Sequence, residues 1–411
     1  LAAAAARHLP APLAADPPLT LGLADFARTV FAGGDLTRVW DQLLARATDD
    51  PPHVGAMLDL STILQVTGQR DQGLALQADA LRAGRLFRRT LGTGQGPRLL
   101  AFVASGDLMA NTPLEFLLKG WNGRLDLLFV DATTGLPAEL PDHDLAILAV
   151  GESDANAPTL MALTAALARW PRPVLNGAPD KVLALGRDRA PKALAGQPGL
   201  DVPMTRRASR AELEALADDG ARLAELLPGR PFPLIVRPVD SHAGTGLAKL
   251  DEAGALLAYL SEQPGEAFYL APFVDYRSVD GRYRKLRVAL VDGRPFISHL
   301  AISDHWMVHY LNAGMAEDAS KRAEEAAMMA GFEAFAERHE AAFASLHRTM
   351  GLDYFAIDCA EAPDGRLLIF EADTAMIVHD MDPPDLYPYK GPAMAKLFVA
   401  FQALIARRTR R

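Results

Sequence analysis

The 411-residue chain has one cysteine, Cys359, few aromatic residues (7%) and no excess of basic ones. Nor does any apolar run approach the roughly 18 residues that suggest a membrane span, so none is expected. A lone cysteine cannot form an internal disulfide or a thiolate cage, which points to a reducing, cytoplasmic setting. A formal charge of −9 argues against a nucleic-acid footprint, which needs clustered Lys and Arg. The arginines at 407–411 read as a solvated helix end. The alanine-rich opening at 1–15 lacks a basic n-region and reads as a flexible leader rather than a signal peptide. What is present, 50% hydrophobic and 23% charged residues, belongs to a folded globular protein of two or three domains.

Three regions follow one another, at 1–95, 96–180 and 181–411. The first is expected to be helical and shows no convincing strand. Val39, Leu43 and Leu44, then Leu58, Leu60, Ile63 and Leu64, recur at helical spacing. Gly34-Asp35 and Gly68-Gln69 repeat at about the 34-residue period of tetratricopeptide hairpins, so repeats and a plain bundle are equal readings. Either would serve as a cap or as a surface for a protein partner. The second region alternates apolar runs at 98–104 (RLLAFVA), 125–130 (LDLLFV), 144–150 (DLAILAV) and 172–176 (RPVLN) with helical stretches at 112–119 and 158–169. That pattern predicts a parallel α/β sheet. Ser105, Gly106, Asp107, Gly151, Glu152 and Ser153 would then lie at its carboxyl ends, as ligand contacts or as ordinary turns.

The third region is α+β with antiparallel strands. A strand at 233–239 (PLIVRPV) runs into a glycine-rich loop at 241–246 (SHAGTG). Runs at 285–291 and 295–302 flank Asp292-Gly293, and runs at 354–361 and 367–373 flank Asp364-Gly365. Asp-Gly between alternating apolar stretches is a strong hairpin signal. A single long helix is expected at 319–350, stopped by Gly351.

The last hairpin carries the most chemistry. With Asp364-Gly365 as a two-residue turn, Asp358 falls opposite Glu371, and Glu371 shares a face with Asp373. Like charges facing each other need compensation. Carboxylate oxygens suit Mg²⁺ (Asp358, Glu371 and Asp373 as metal ligands); salt bridges to Arg or Lys are the other solution. Arg237 and the loop through Ser241, Gly244, Thr245 and Gly246 could meet phosphate. Lys285 and Arg287 share a face in the preceding hairpin. There the turn-based register puts His299 opposite Leu286, away from Arg287, unless a bulge intervenes. His305 and His309, four apart in a polar and aromatic segment (303–312), would share a helix face, as structural histidines or, with Asn312, as substrate contacts. His379 faces substrate or sits in a loop.

Taken in order, these motifs resemble the ATP-grasp superfamily, most closely its RimK-type and glutathione-synthetase-like ligases. The resemblance covers residues from about 97 onward. The segments at 187–189 (RDR) and 199–205 (GLDVPMT) look like the family's opening helix and first strand. The strand at 232–238 (FPLIVRP) looks like the one whose basic residue touches nucleotide phosphates. The segment at 269–274 (YLAPFV) matches the hinge around adenine, through Ala271, Pro272, Phe273 and Val274. Where the family usually has phosphate-binding lysines, this chain has Arg189 and Arg237, and Asp373 replaces an asparagine. The resemblance implies an ATP- and Mg²⁺-dependent ligase joining a small-molecule or peptide carboxylate to an amine through an acylphosphate. Lys285 would assist ATP binding, and Arg237 and Arg287 would act at the transferring group. A phosphotransferase, or a nucleotide-binding scaffold without turnover, are the alternatives, and association into homo-oligomers is compatible with either.

Overall fold

The computed structural model describes residues 16–217, 226–227, 232–241 and 244–410. The leader expected at 1–15 and the loop residues His242 and Ala243 lie outside the described residues. Four helices come first: α1 (Leu23–Phe31), α2 (Thr37–Ala47), α3 (Val54–Val66) and α4 (Arg70–Ala83). α3 and α4 approach so closely that a Cβ on Gly73 would meet Gln65 Cγ at 2.6 Å and the Ser61 carbonyl oxygen at 2.8 Å. Two carboxylates anchor the start of α1. Asp59 accepts the N–H groups of Leu21 and Gly22, and Glu115 those of Leu23 and Ala24, at 2.7–3.1 Å. They satisfy donors that a helix start leaves open.

The first sheet holds β1 (Leu86–Leu91), β2 (Arg98–Val103), β3 (Gly123–Phe129), β4 (Leu145–Leu148) and β5 (Val174–Leu175). Its order is β1-β3-β2-β4-β5, with β3, β2, β4 and β5 parallel as the apolar runs predict. The edge strand β1, antiparallel to β3, corrects the expectation of no strand in the first region. Its arginines hide it. Arg88 donates to both carboxylate oxygens of Asp126 on β3 at 2.7 and 3.2 Å, while Phe87 between the sheet and its cover is fully buried.

Nine more strands make two further sheets: β6 (Leu200–Asp201), β7 (Arg206–Ser209), β8 (Leu234–Pro238), β9 (Ala248–Leu250), β10 (Ala267–Pro272), β11 (Tyr283–Val291), β12 (Arg294–Ser303), β13 (Tyr354–Glu361) and β14 (Leu367–Asp373). The second sheet runs β7-β10-β8-β9 and the third β12-β11-β13-β14-β6. Every pairing in them is antiparallel except β14 with β6. The architecture is thus mixed α/β and α+β, as expected. The long helix is not: it is three segments, Ala319–Ala330, Phe332–Arg338 and Glu340–Met350. It breaks at Gly331, a poor helix former, and at His339, whose buried ring lies 3.6 Å from Glu361.

Asn176, at the carboxyl end of β5 with φ 52°, pins the first sheet to the third. Its amide donates to the Tyr354 carbonyl at 2.7 Å and accepts the Tyr354 N–H at 2.9 Å. One hydrophobic core continues from Leu100 and Phe102 of β2 to Val288 of β11 and Phe355 of β13. Among the described residues no helix is long and apolar enough to cross a membrane.

Candidate active cleft

A cleft of about 580 Å³ is lined mostly by residues of the second and third sheets and the segments that connect or follow them. Its floor is a single row across four strands. Pairing sets Arg287 of β11 opposite Asp358 of β13, Asp358 opposite Glu371 of β14, and Arg287 opposite His299 of β12. All four side chains line the cleft.

Two bulges align this row. The Asp364-Gly365 turn is longer than expected: Ala362 N–H donates to the Arg366 carbonyl at 2.8 Å, enclosing three residues, and only Gly365 has positive φ, 82°. Counting from that turn would put Asp358 opposite Phe370. Phe370 has no partner across the pair, and this second offset restores Asp358 opposite Glu371. In the neighbouring hairpin Asp292-Gly293 is the expected two-residue turn, with φ 50° and 79°. There a bulge at Ser298 moves His299 from Leu286 to Arg287. The register that sets His299 away from Arg287 is therefore corrected. Bulges next to a site commonly re-aim side chains in this way.

Charge on the floor is paired. Arg287 donates to Asp358 at 2.8 and 3.1 Å and to the Ile377 carbonyl at 3.1 Å, and Lys285 Nζ lies 3.0 Å from Asp358. Burial alone would raise the Asp358 carboxyl, but Arg287 and Lys285 hold it well below the usual carboxylate range. Glu371, half-buried, is held below its ordinary value by Arg187, its ion-pair partner, and by Arg237. Asp373 differs: burial and the neighbouring Glu371 push it up to about 7. On the opposite wall Arg237 of β8 faces Tyr269 of β10 in register and is brought down to about 10 by burial and by Arg187. Its Nε donates to Ser241 Oγ at 3.1 Å, and Ser241 Oγ donates to the Pro238 carbonyl at 2.8 Å.

Gly244, Ala271, Pro272, Phe273, Val274, Lys285, His309 and His379 also line the cleft. Ser241 braces it through Arg237, while Thr245 and Gly246 are not in its lining. Arg189 lies outside. It donates to the Leu183 carbonyl at 2.8 Å and sits 3.8 Å from Glu152; the arginine in the cleft is Arg187, two positions earlier. His305 is exposed, and no helix joins it to His309. His309 is extended (φ −121°, ψ 140°) and caps a short 3₁₀ turn, Tyr310–Asn312, where the Asn312 side chain accepts the His309 N–H at 2.9 Å. Neither His305 nor Asn312 reaches the lining. Phe31, Met109, Asp382 and Lys390 line the cleft without any sequence signal, because they come from four separate segments.

Oxygen donors suit Mg²⁺, and Asp373, crowded by Glu371, is where a cation would relieve like-charge repulsion. The donor chemistry therefore fits. The expected three-ligand set does not stand assembled: among the described residues no three such side chains are gathered to hold an ion. Asp358 is compensated instead by Arg287 and Lys285.

No family model and no curated protein matches the sequence. Among solved structures the chain is similar to a RimK-domain ATP-grasp protein of Sphaerobacter thermophilus DSM 20745. The TM-score is 0.39 at 17% identity, over 74% of this chain and 98% of that one. It is also similar to the VanG D-Ala:D-Ser ligase of Enterococcus faecalis, with TM-score 0.44 and 13% identity over 75% and 99%.

Proposed function

We propose that the protein is an ATP-grasp ligase that uses ATP and Mg²⁺ to join a carboxylate to an amine. The observation that carries this reading is one cleft in which Arg187, Arg237, Lys285 and Arg287 meet Asp358, Glu371 and Asp373. Cations at this density suit a polyphosphate, and the paired acids keep them in place when none is bound. Ala271 to Val274, at the crossing from the second sheet to the third, form the apolar wall expected of an adenine site. Glu371 and Asp373 would hold Mg²⁺, which when bound neutralises charge on the β- and γ-phosphates.

The chain's own groups then have separate tasks. Arg237 and Arg187 meet the γ-phosphate as a substrate carboxylate oxygen attacks its phosphorus and the bond to the β-phosphate oxygen breaks, releasing ADP. Arg287, fixed by Asp358 and the Ile377 carbonyl, orients the acyl group. The amine then attacks the acyl carbon, loses a proton, and phosphate leaves.

ADP release measured across small acids, amines and peptides tests the reading. Release that requires both an acid and an amine supports a ligase; release with the acid alone makes it a phosphotransferase. Tight ATP binding without any turnover would replace both with the scaffold reading.

A further inference from the structure

The ligase reading leaves one end of the cleft unexplained, and that end is built partly by the N-terminal helices. Phe31, the last residue of α1, and Met109, from the loop after β2, line it with Met376, His379 and Met381. The Phe31 and His379 rings are 5.6 Å apart, and Phe116 stands 6.3 Å from His379. Phe31 is held in position from both ends of its helix. Arg28, one turn earlier, donates to Asp380 at 2.7 Å, and Asp59 and Glu115 hold the helix start.

This wall is continuous with the charged floor, because Arg287 bonds the Ile377 carbonyl within the same segment as Met376 and His379. The other charges at this end are already matched. Lys390 Nζ lies 3.0 Å from Asp382 and 3.5 Å from Glu325, and Arg28 and Lys119 share Asp380, so three cations stand against three acids. His379 Nδ1 accepts the Met381 N–H at 3.1 Å, which leaves a neutral ring with its proton on Nε2. Thioethers and rings adapt to apolar groups, whereas a charged group buried here would lack a partner.

Resting on the ligase reading, we infer that Phe31, Met109 and His379 form a subsite for an uncharged apolar side group of the substrate whose carboxylate faces Arg287. The first helix is then a wall of the cleft and a determinant of specificity, beyond the cap or partner surface expected of it.

The test uses the full chain and calorimetry with four probes: 3-phenylpropionate, phenethylamine, succinate and 1,4-diaminobutane. 3-Phenylpropionate should bind tenfold or more tightly than succinate, whereas the two amines, cations facing Arg287, should bind weakly. Phe31→Ala should weaken 3-phenylpropionate binding at least fivefold, and Phe31→Leu should restore most of the loss, with ATP affinity unchanged. Because Phe31 is 41% exposed, its truncation leaves the helix core of Ala24 and Phe26 intact, and an unchanged melting temperature would document that. In ADP release the Phe31→Ala loss should fall on substrate KM rather than kcat. Equal binding of 3-phenylpropionate and succinate, no binding of 3-phenylpropionate, or an inert Phe31→Ala would overturn the subsite. Absence of ADP release with every compound would instead remove the ligase reading, while the calorimetry still decides the subsite.

Discussion

The hairpins β11–β12 and β13–β14 lie on either side of the Arg287–Asp358 pair and are built differently. In the first, a tight two-residue turn is followed by one bulge at Ser298, and the register at the row differs by one from the register at the turn. In the second, a three-residue turn and a bulge at Phe370 offset each other. Both end with a polar side chain, His299 or Glu371, aimed into one cleft. The difference teaches that the turn does not determine which side chain reaches the site. The bulge beside the row does, because one unpaired residue reverses the face of everything beyond it.

The widest separation between the two hairpins is expected in turnover. Glu371→Ala removes the acid that the Phe370 bulge delivers and should lower ADP release at least 10³-fold, about 4 kcal/mol of barrier. Its melting temperature should stay near wild type. Unchanged release would remove Glu371 from the site.

Next in size is the pair that joins the hairpins. Arg287→Met leaves Asp358 fully buried with Lys285 alone and should cost about 3–4 kcal/mol in urea unfolding. The double variant Arg287→Met/Asp358→Leu should recover most of that. Additive losses would mean that the two groups do not compensate each other.

Much of this was legible from the chain. The alternation of 354–361 and 367–373, the Asp-Gly turns and the period-two spacing of Glu371 and Asp373 point to an acidic patch facing Asp358, and the sheet has it. That agreement came through two offsets that cancel, since neither the three-residue turn nor the bulge is visible in the residue types. Where only one offset exists, at Ser298, counting fails for His299. Arg187 and Arg189 sit in a non-repetitive stretch between two short helices, where no periodicity tells which one faces inward. Phe31 depends on packing between segments about 350 residues apart in the chain, as the Arg28–Asp380 bond shows, and local pattern carries no such information.

The loop beside the row treats burial differently from the row itself. Asp358 stays charged because it is paired, whereas His379 stays neutral, its pKa lowered to about 4 by burial, against some pull from Asp382 and with Lys390 and Arg287 reinforcing it. Unfolded histidine titrates near 6.5, so between pH 6.5 and 4 the unfolded chain binds a proton that the folded chain does not. Stability contributed by this group is present above pH 6.5 and declines as pH falls through that window, by at most roughly 3 kcal/mol. His379→Gln should flatten the decline in melting temperature between pH 6.5 and 4.5. An unaltered slope would place the sensitive group elsewhere.

The smallest effect separates the two turns directly. Gly293 and Gly365 both hold positive φ, 79° and 82°, where an L side chain costs about 1 kcal/mol or more. Their surroundings differ. A Cβ on Gly293 would come within 2.8 Å of the His347 ring, while one on Gly365 meets nothing within 4 Å. Gly365→Ala should therefore cost about 1 kcal/mol and Gly293→Ala about 2 kcal/mol in urea unfolding. Adding His347→Ala to the second should bring its additional cost close to that of the first. If the two glycine variants lose the same amount, backbone strain alone sets the cost and the tight turn is no more constrained than the open one.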